Sequence, residues 1–151
     1  MEFEIIEGAK IVNAEVRYLV NDSAFDINQI VNVDINLAIA YLNLGVDSED
    51  MCVKCLWGFS PRESWKSADL SVPLAPEGKL KLIGEYEAGL TWRVDKNRIW
   101  ESYYDRKIGW YCIGTTPLEE GDNAVKVIDN MIAVVNSSKE LKAIWVRTIL
   151  I

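Results

Sequence analysis

An all-β fold, a β-sandwich or partly open barrel built mainly of antiparallel hairpins with one or two short helical turns, follows from three observations on this 151-residue chain. Apolar residues recur at every second position in two long runs, 9–20 and 30–44. Aromatic, β-favouring segments alternate with polar turns across residues 90–114. Near the end, two β-branched runs flank the polar stretch Asn136-Ser137-Ser138-Lys139-Glu140, which reads as a closing hairpin. The length fits one domain, residues 1–151, large enough to bury a core without staples.

Taken in order, residues 2–7 are β-compatible through Phe3, Ile5 and Ile6, and Gly8 interrupts them. In 9–20, Val12, Ala14, Val16, Tyr18 and Val20 share one face and Asn13, Glu15 and Arg17 the other, the pattern of a half-buried strand. Asn21-Asp22-Ser23 ends it as a turn. In 30–44, Val31, Val33, Ile35, Leu37, Ile39 and Tyr41 lie opposite Asn32, Asp34 and Asn36, which predicts one long strand. Residues 45–50 form a polar turn and 51–59 the return strand.

Ser60-Pro61-Arg62-Glu63 has the form of a capping box with Pro at the first helical position, predicting a short helix over 61–68. Pro73, Pro76 and Gly78 mark 70–78 as a connecting loop, followed by a strand over 79–84. Thr116-Pro117-Leu118-Glu119 repeats the capping pattern, limited by Gly121 to about one helical turn. In 122–136 a helical spacing (Ala124, Val127, Ile128, Met131) competes with the hairpin, and the β-branched content favours the hairpin. The total is about eight or nine strands.

Residues 90–114 hold Trp92, Trp100 and Trp110, with Tyr103, Tyr104 and Tyr111. The polar run Asp95-Lys96-Asn97-Arg98 predicts a hairpin between 91–94 and 99–104, and Asp105-Arg106-Lys107 a second turn before 108–113. Such aromatics serve either as cross-strand core or as an exposed recognition patch of Trp92, Trp100, Tyr103, Tyr104, Asp105, Arg106 and Trp110, with Glu101, since Trp, Tyr and Arg dominate binding hot spots.

Composition narrows the chemistry. With 16 basic and 23 acidic residues the net charge is −7, which disfavours nucleic acid and anionic membrane and favours a basic protein partner. The acidic start and the lack of any long apolar run predict a cytoplasmic protein with no signal peptide and no membrane span. Histidine is absent, so Ser-His-Asp and Cys-His catalysis and most catalytic zinc sites are excluded. Of three cysteines, Cys52 and Cys55 form a C-x-x-C. In a regular strand those thiols diverge, so buried, unpaired cysteines are expected, with no metal and no cofactor. No phosphate-binding glycine motif occurs.

Glu85 and Glu87 are the best candidate carboxylate pair. On a strand they share a face with Cα atoms about 6.5–7 Å apart, inside the roughly 5–9.5 Å over which glycosidases place their carboxyl pairs. A solvated strand face gives the same pattern.

A small, acidic, aromatic-rich β protein without catalytic histidine resembles the bacterial immunity proteins that neutralise toxins. The runs Ile132-Ala133-Val134-Val135 and Leu141-Lys142-Ala143-Ile144-Trp145 are similar in flavour to uncharacterised bacterial families. No motif transfers residue roles, and no family is assigned. The resemblance implies a non-enzymatic module that binds and inhibits a basic partner. Two other readings stand beside it: a barrel holding a small hydrophobic or sugar-like ligand on Trp92, Trp100 or Trp110, and a hydrolase using Glu85 and Glu87. Exposed strand edges are also compatible with a homodimer.

Overall fold

The computed structural model describes all 151 residues as fourteen strands and two short 3-10 turns. The strands are β1 (Glu2–Glu7), β2 (Val16–Leu19), β3 (Ala24–Ile27), β4 (Ile35–Ile39), β5 (Leu42–Asp47), β6 (Cys52–Phe59), β7 (Lys66–Ser67), β8 (Gly78–Ile83), β9 (Thr91–Arg93), β10 (Ser102–Asp105), β11 (Trp110–Gly114), β12 (Asn123–Ile128), β13 (Met131–Val135) and β14 (Leu141–Arg147). Eight strands make one curled sheet, ordered β1-β8-β6-β5-β4-β9, with β2 and β3 joined to the end of β6. Six make the second, ordered β12-β13-β14-β11-β10-β7. Only β4–β9 and β7–β10 pair in parallel. No helix is long and apolar enough to cross a membrane.

A core of 27 buried residues draws on the inner faces of both sheets. Leu37, Leu44, Leu56 and Leu80 come from the first, and Tyr111, Val125, Met131, Ile144 and Val146 from the second. The second sheet is also covered outside. Cys112, Ile132, Val134, Ala143 and Trp145 form a separate apolar cluster, against which Leu70, Val72, Ala75 and Trp110 pack. Burial on both faces explains why β13 and most of β14 read as unbroken apolar runs.

One side of the sandwich is stitched shut. The free edge of β2 meets residues 149–151, with Tyr18 N–H donating to Ile149 O and accepting Ile151 N–H at its own carbonyl. Beside it the Asn130 side chain accepts from Val16 N and donates to Val16 O and Arg147 O. On the other side Phe3 N–H donates to Lys139 O and Lys126 N–H to Pro76 O. A cavity of about 420 Å³ lies along it, between β1 and the ends of β12 and β13.

Several expectations are corrected. The single strand over 30–44 is a hairpin, β4 and β5 joined at Ala40-Tyr41 with Ile39 paired to Leu42. Cross-strand partners share a face, so Leu42, Leu44 and Val46 continue the core face of Ile35, Leu37 and Ile39 after a change from odd to even positions. Only Val16–Leu19 of the run 9–20 is strand, though its buried alternation at Ala14, Val16 and Tyr18 holds. The helix over 61–68 reduces to a 3-10 turn at Arg62–Ser64. Ser60 caps nothing, because its buried hydroxyl accepts from Trp65 Nε1, and Trp65 is drawn into the core. No helical turn forms at 116–119. In 122–136 the hairpin reading holds: β12, β13 and β14 form an antiparallel meander.

The Cys-x-x-Cys strand is irregular. Gly45 pairs with Cys55 and Val46 with Val53, leaving Lys54 as an extra residue. Val53 and Leu56 therefore both enter the core, and regular alternation does not separate Cys52 from Cys55. All three cysteines are free and buried.

Candidate functional site

The most exposed aromatic surface lies at one end of the sandwich, where the β4–β5 turn meets the connection between the two sheets. Ala40 takes a left-handed conformation (φ 55°), which closes the two-residue turn and swings Tyr41 into solvent. Gly58 lies beneath it, where a Cβ would sit 2.5 Å from Tyr41 O, so only glycine admits the turn this close to β6. Tyr41 and Phe59 meet edge to face at 6.4 Å. Tyr41 is 77% exposed and Phe59 50%.

The opposing wall comes from 94–101. The turn at Asp95-Lys96-Asn97-Arg98 forms as expected, with Asn97 N–H donating to Asp95 Oδ1. It does not close a hairpin. β9 belongs to the first sheet and β10 to the second. Between them Arg98 fastens the connection to the second sheet: its guanidinium donates to Leu141 O, Lys142 O and Thr115 Oγ1. The same guanidinium lies 3.8 Å over the Trp100 ring and fixes it as a wall. Ile99, beside it, is 86% exposed.

Two open clefts share Ala40, Tyr41 and Trp100. The first, about 310 Å³, runs from Phe59 to Lys66 and Glu101 and includes Ser60, Ser102 and Ile113. The second, about 380 Å³, is bounded by Arg93, Lys96, Arg98 and Ile99. In the first, Lys66 Nζ and Tyr103 OH both donate to Glu101 Oε2 at 2.8 Å. The Lys66 hydrogen bond, then that of Tyr103, holds the Glu101 carboxyl below its usual range, and the same contact raises both donors. Beneath lies a hydroxyl network: Tyr111 OH is 2.8 Å from Ser102 Oγ and 3.3 Å from Ser60 Oγ, and Tyr18 OH donates to Ser60 O. Burial pushes the Tyr111 phenol up to about 12. Ser60 has Trp65 and Tyr111 as its side-chain partners and no base.

The sequence-chosen residues scatter. Trp100 and Tyr103 reach this end. Tyr104 packs on Trp65 at 5.2 Å, and its hydroxyl lies 3.3 Å from Thr148 Oγ1. Asp105 is buried and structural, accepting from Leu70 N and Lys107 N, and the Leu70 bond leads in holding its carboxyl low. Arg106 is exposed on the β10–β11 turn beside a shallow depression with Arg62, Trp65 and Tyr104. Trp92 meets Tyr86 edge to face at 5.3 Å and packs against the main core. Trp110 packs on the outer cluster of the second sheet. Glu85 and Glu87 sit in an exposed loop, not on a strand, so the expected strand spacing does not apply to them.

Sequence reasoning missed Tyr41, Ile99, Arg93, Lys96 and Arg98 as site residues. The even-numbered Leu42 and Leu44 were the signal for a turn at Tyr41. Nothing local marks Arg98, whose carbonyl partners Leu141 and Lys142 lie more than forty residues away. No group of three or more His, Cys, Asp or Glu side chains is placed to hold a metal ion. No family model matches the chain, and no curated protein sequence matches it.

Proposed function

We propose that the protein is a non-enzymatic binding module that docks onto another protein through the Tyr41–Trp100 end face. In its most concrete form it acts as an inhibitor, covering a functional surface of its partner. One observation carries this: Tyr41, Phe59 and Ile99, three large apolar side chains at 50% exposure or more, are gathered around Trp100 along two adjoining clefts. Tyr and Trp deliver contact area with few rotors to freeze, and Arg98 already holds the Trp100 ring. Tyr41→Ala and Ile99→Asp alter side chains that face solvent, so both variants should keep the wild-type far-UV spectrum and melting curve. Loss of the protein captured by wild type from its native lysate is the expected result; equal capture by both variants would overturn the assignment of this face.

A second reading rests on the first cleft. Its volume, aromatic walls and Ser60–Ser102 hydroxyls fit one small polar ligand, sugar-like in character. Quenching of Trp fluorescence by a monosaccharide panel, lost in Trp100→Ala, would favour it over protein docking.

A further inference from the structure

The charge of the end face runs against that of the chain. Around the two clefts stand Lys66, Arg93, Lys96 and Arg98, against the carboxylates of Asp95 and Glu101, whereas the whole chain carries 23 acidic and 16 basic residues. Lys66 is neutralised by Glu101. Arg98 spends its donors on Leu141 O, Lys142 O and Thr115. Arg93 and Lys96 are exposed and take part in no ion pair. They flank the exposed Ile99 and Tyr41 in the second cleft. At physiological ionic strength charges beyond about 8 Å are largely screened, so a docking segment feels these two cations more than the distant acidic surface.

We infer that this face takes an acidic segment of a partner protein, an apolar side chain inserted beside Tyr41 and Trp100 and carboxylates paired with Arg93 and Lys96. The inference rests on the docking reading and names its chemistry. An apolar anchor in a desolvated cleft supplies the affinity, and the rim cations supply orientation and salt dependence. Arginine adds a bidentate fork suited to a carboxylate.

The test titrates the full-length protein, by intrinsic Trp fluorescence and calorimetry, with three probes: a peptide of Trp-Leu pairs flanked by glutamates, the same peptide with lysines for glutamates, and a short oligothymidylate. Expected is binding of the acidic peptide above both others, weakened by added salt. Arg93→Glu and Lys96→Glu should each weaken it about five- to tenfold, the scale of an exposed ion pair lost and replaced by repulsion, and Tyr41→Ala should weaken it in every salt. Preference for the lysine peptide, still lost in Tyr41→Ala, would overturn the acidic-segment inference while leaving the docking face intact. Equal or tighter binding of the oligothymidylate would overturn it in favour of phosphate recognition. No peptide response, or responses indifferent to Tyr41→Ala, would overturn both.

Discussion

Asn130→Ala should be among the most damaging single changes in the protein. Asn130 is 1% exposed. Its amide treats β2 as a neighbouring strand would: Oδ1 accepts Val16 N–H at 2.9 Å, and Nδ2 donates to Val16 O at 2.7 Å and to Arg147 O at 2.8 Å. Alanine orphans one buried donor and removes a partner from two carbonyls. An orphaned buried group costs about 1–3 kcal/mol, the donor most and a carbonyl with a second lone pair least. Taking about 1–2 kcal/mol for the donor and about 1 kcal/mol, the bottom of that range, for each carbonyl gives a loss of about 3–4 kcal/mol, a large fraction of the roughly 5–15 kcal/mol available to a domain. The melting temperature should fall by roughly 6–16 °C. Urea unfolding followed by tryptophan emission and far-UV dichroism measures it directly, with an unchanged slope reporting that the same surface is exposed. A loss under about 1 kcal/mol would mean that water replaces the amide and that this side of the sandwich is not held by Asn130.

The buried pair of Lys142 and Asp122 gives a pH-dependent prediction. Burial pushes the Asp122 carboxyl up, but its hydrogen bond from Lys142 and the Glu119 N–H outweigh that and leave it below the ordinary value. A depressed folded-state value stabilises above the unfolded value of about 3.9, and that stability is lost as pH falls through the folded value. Asp122→Asn should therefore flatten the acid limb of stability against pH and cost about 3 kcal/mol at neutrality, while adding Lys142→Met should recover much of it. At the alkaline end, Tyr111, raised to about 12, contributes stability that is complete below about pH 10 and lost as pH rises through its folded value; absorbance titration should show its phenolate appearing last, and a Tyr111→Phe variant should lose that slope. Burial raises all three thiols, Cys55 to about 11, so a thiol reagent should label none at neutral pH until denaturant is added. Deleting residues 149–151 should expose the β2 edge and produce concentration-dependent self-association by light scattering.

Legibility in the sequence followed the reach of each interaction. The all-β class, the β5–β6 and β10–β11 hairpins and the β13–β14 closure were readable because alternation and polar turns act over a few residues. Alternation by itself could not find the Ala40-Tyr41 turn, since a two-residue reversal preserves the apolar face and shifts only its parity, from Ile39 to Leu42. The capping box at Ser60 failed for a tertiary reason: the hydroxyl that would cap a helix holds Trp65 and Tyr111 instead. Asp95-Lys96-Asn97-Arg98 was recognised as a turn, but the chain after it crosses to the second sheet, where Arg98 meets carbonyls of β14 far along the sequence. The end face shares that origin. Trp100 is legible as an aromatic, and its position beside Tyr41 is fixed only by the meeting of two sheets.

That meeting makes the cleft a caliper. One jaw, Tyr41, rides on the first sheet, and the other, Trp100, is riveted through Arg98 to the second. Any sliding or hinging of the sheets against each other changes the gap between the jaws, and a segment clasped there resists the movement. A segment bound at this end would favour the same arrangement of the two sheets that Asn130 and residues 149–151 hold at the β2 seam. A partner bound at the jaws should slow hydrogen exchange at Val16, whose amide is held by Asn130 rather than by any residue of the clefts.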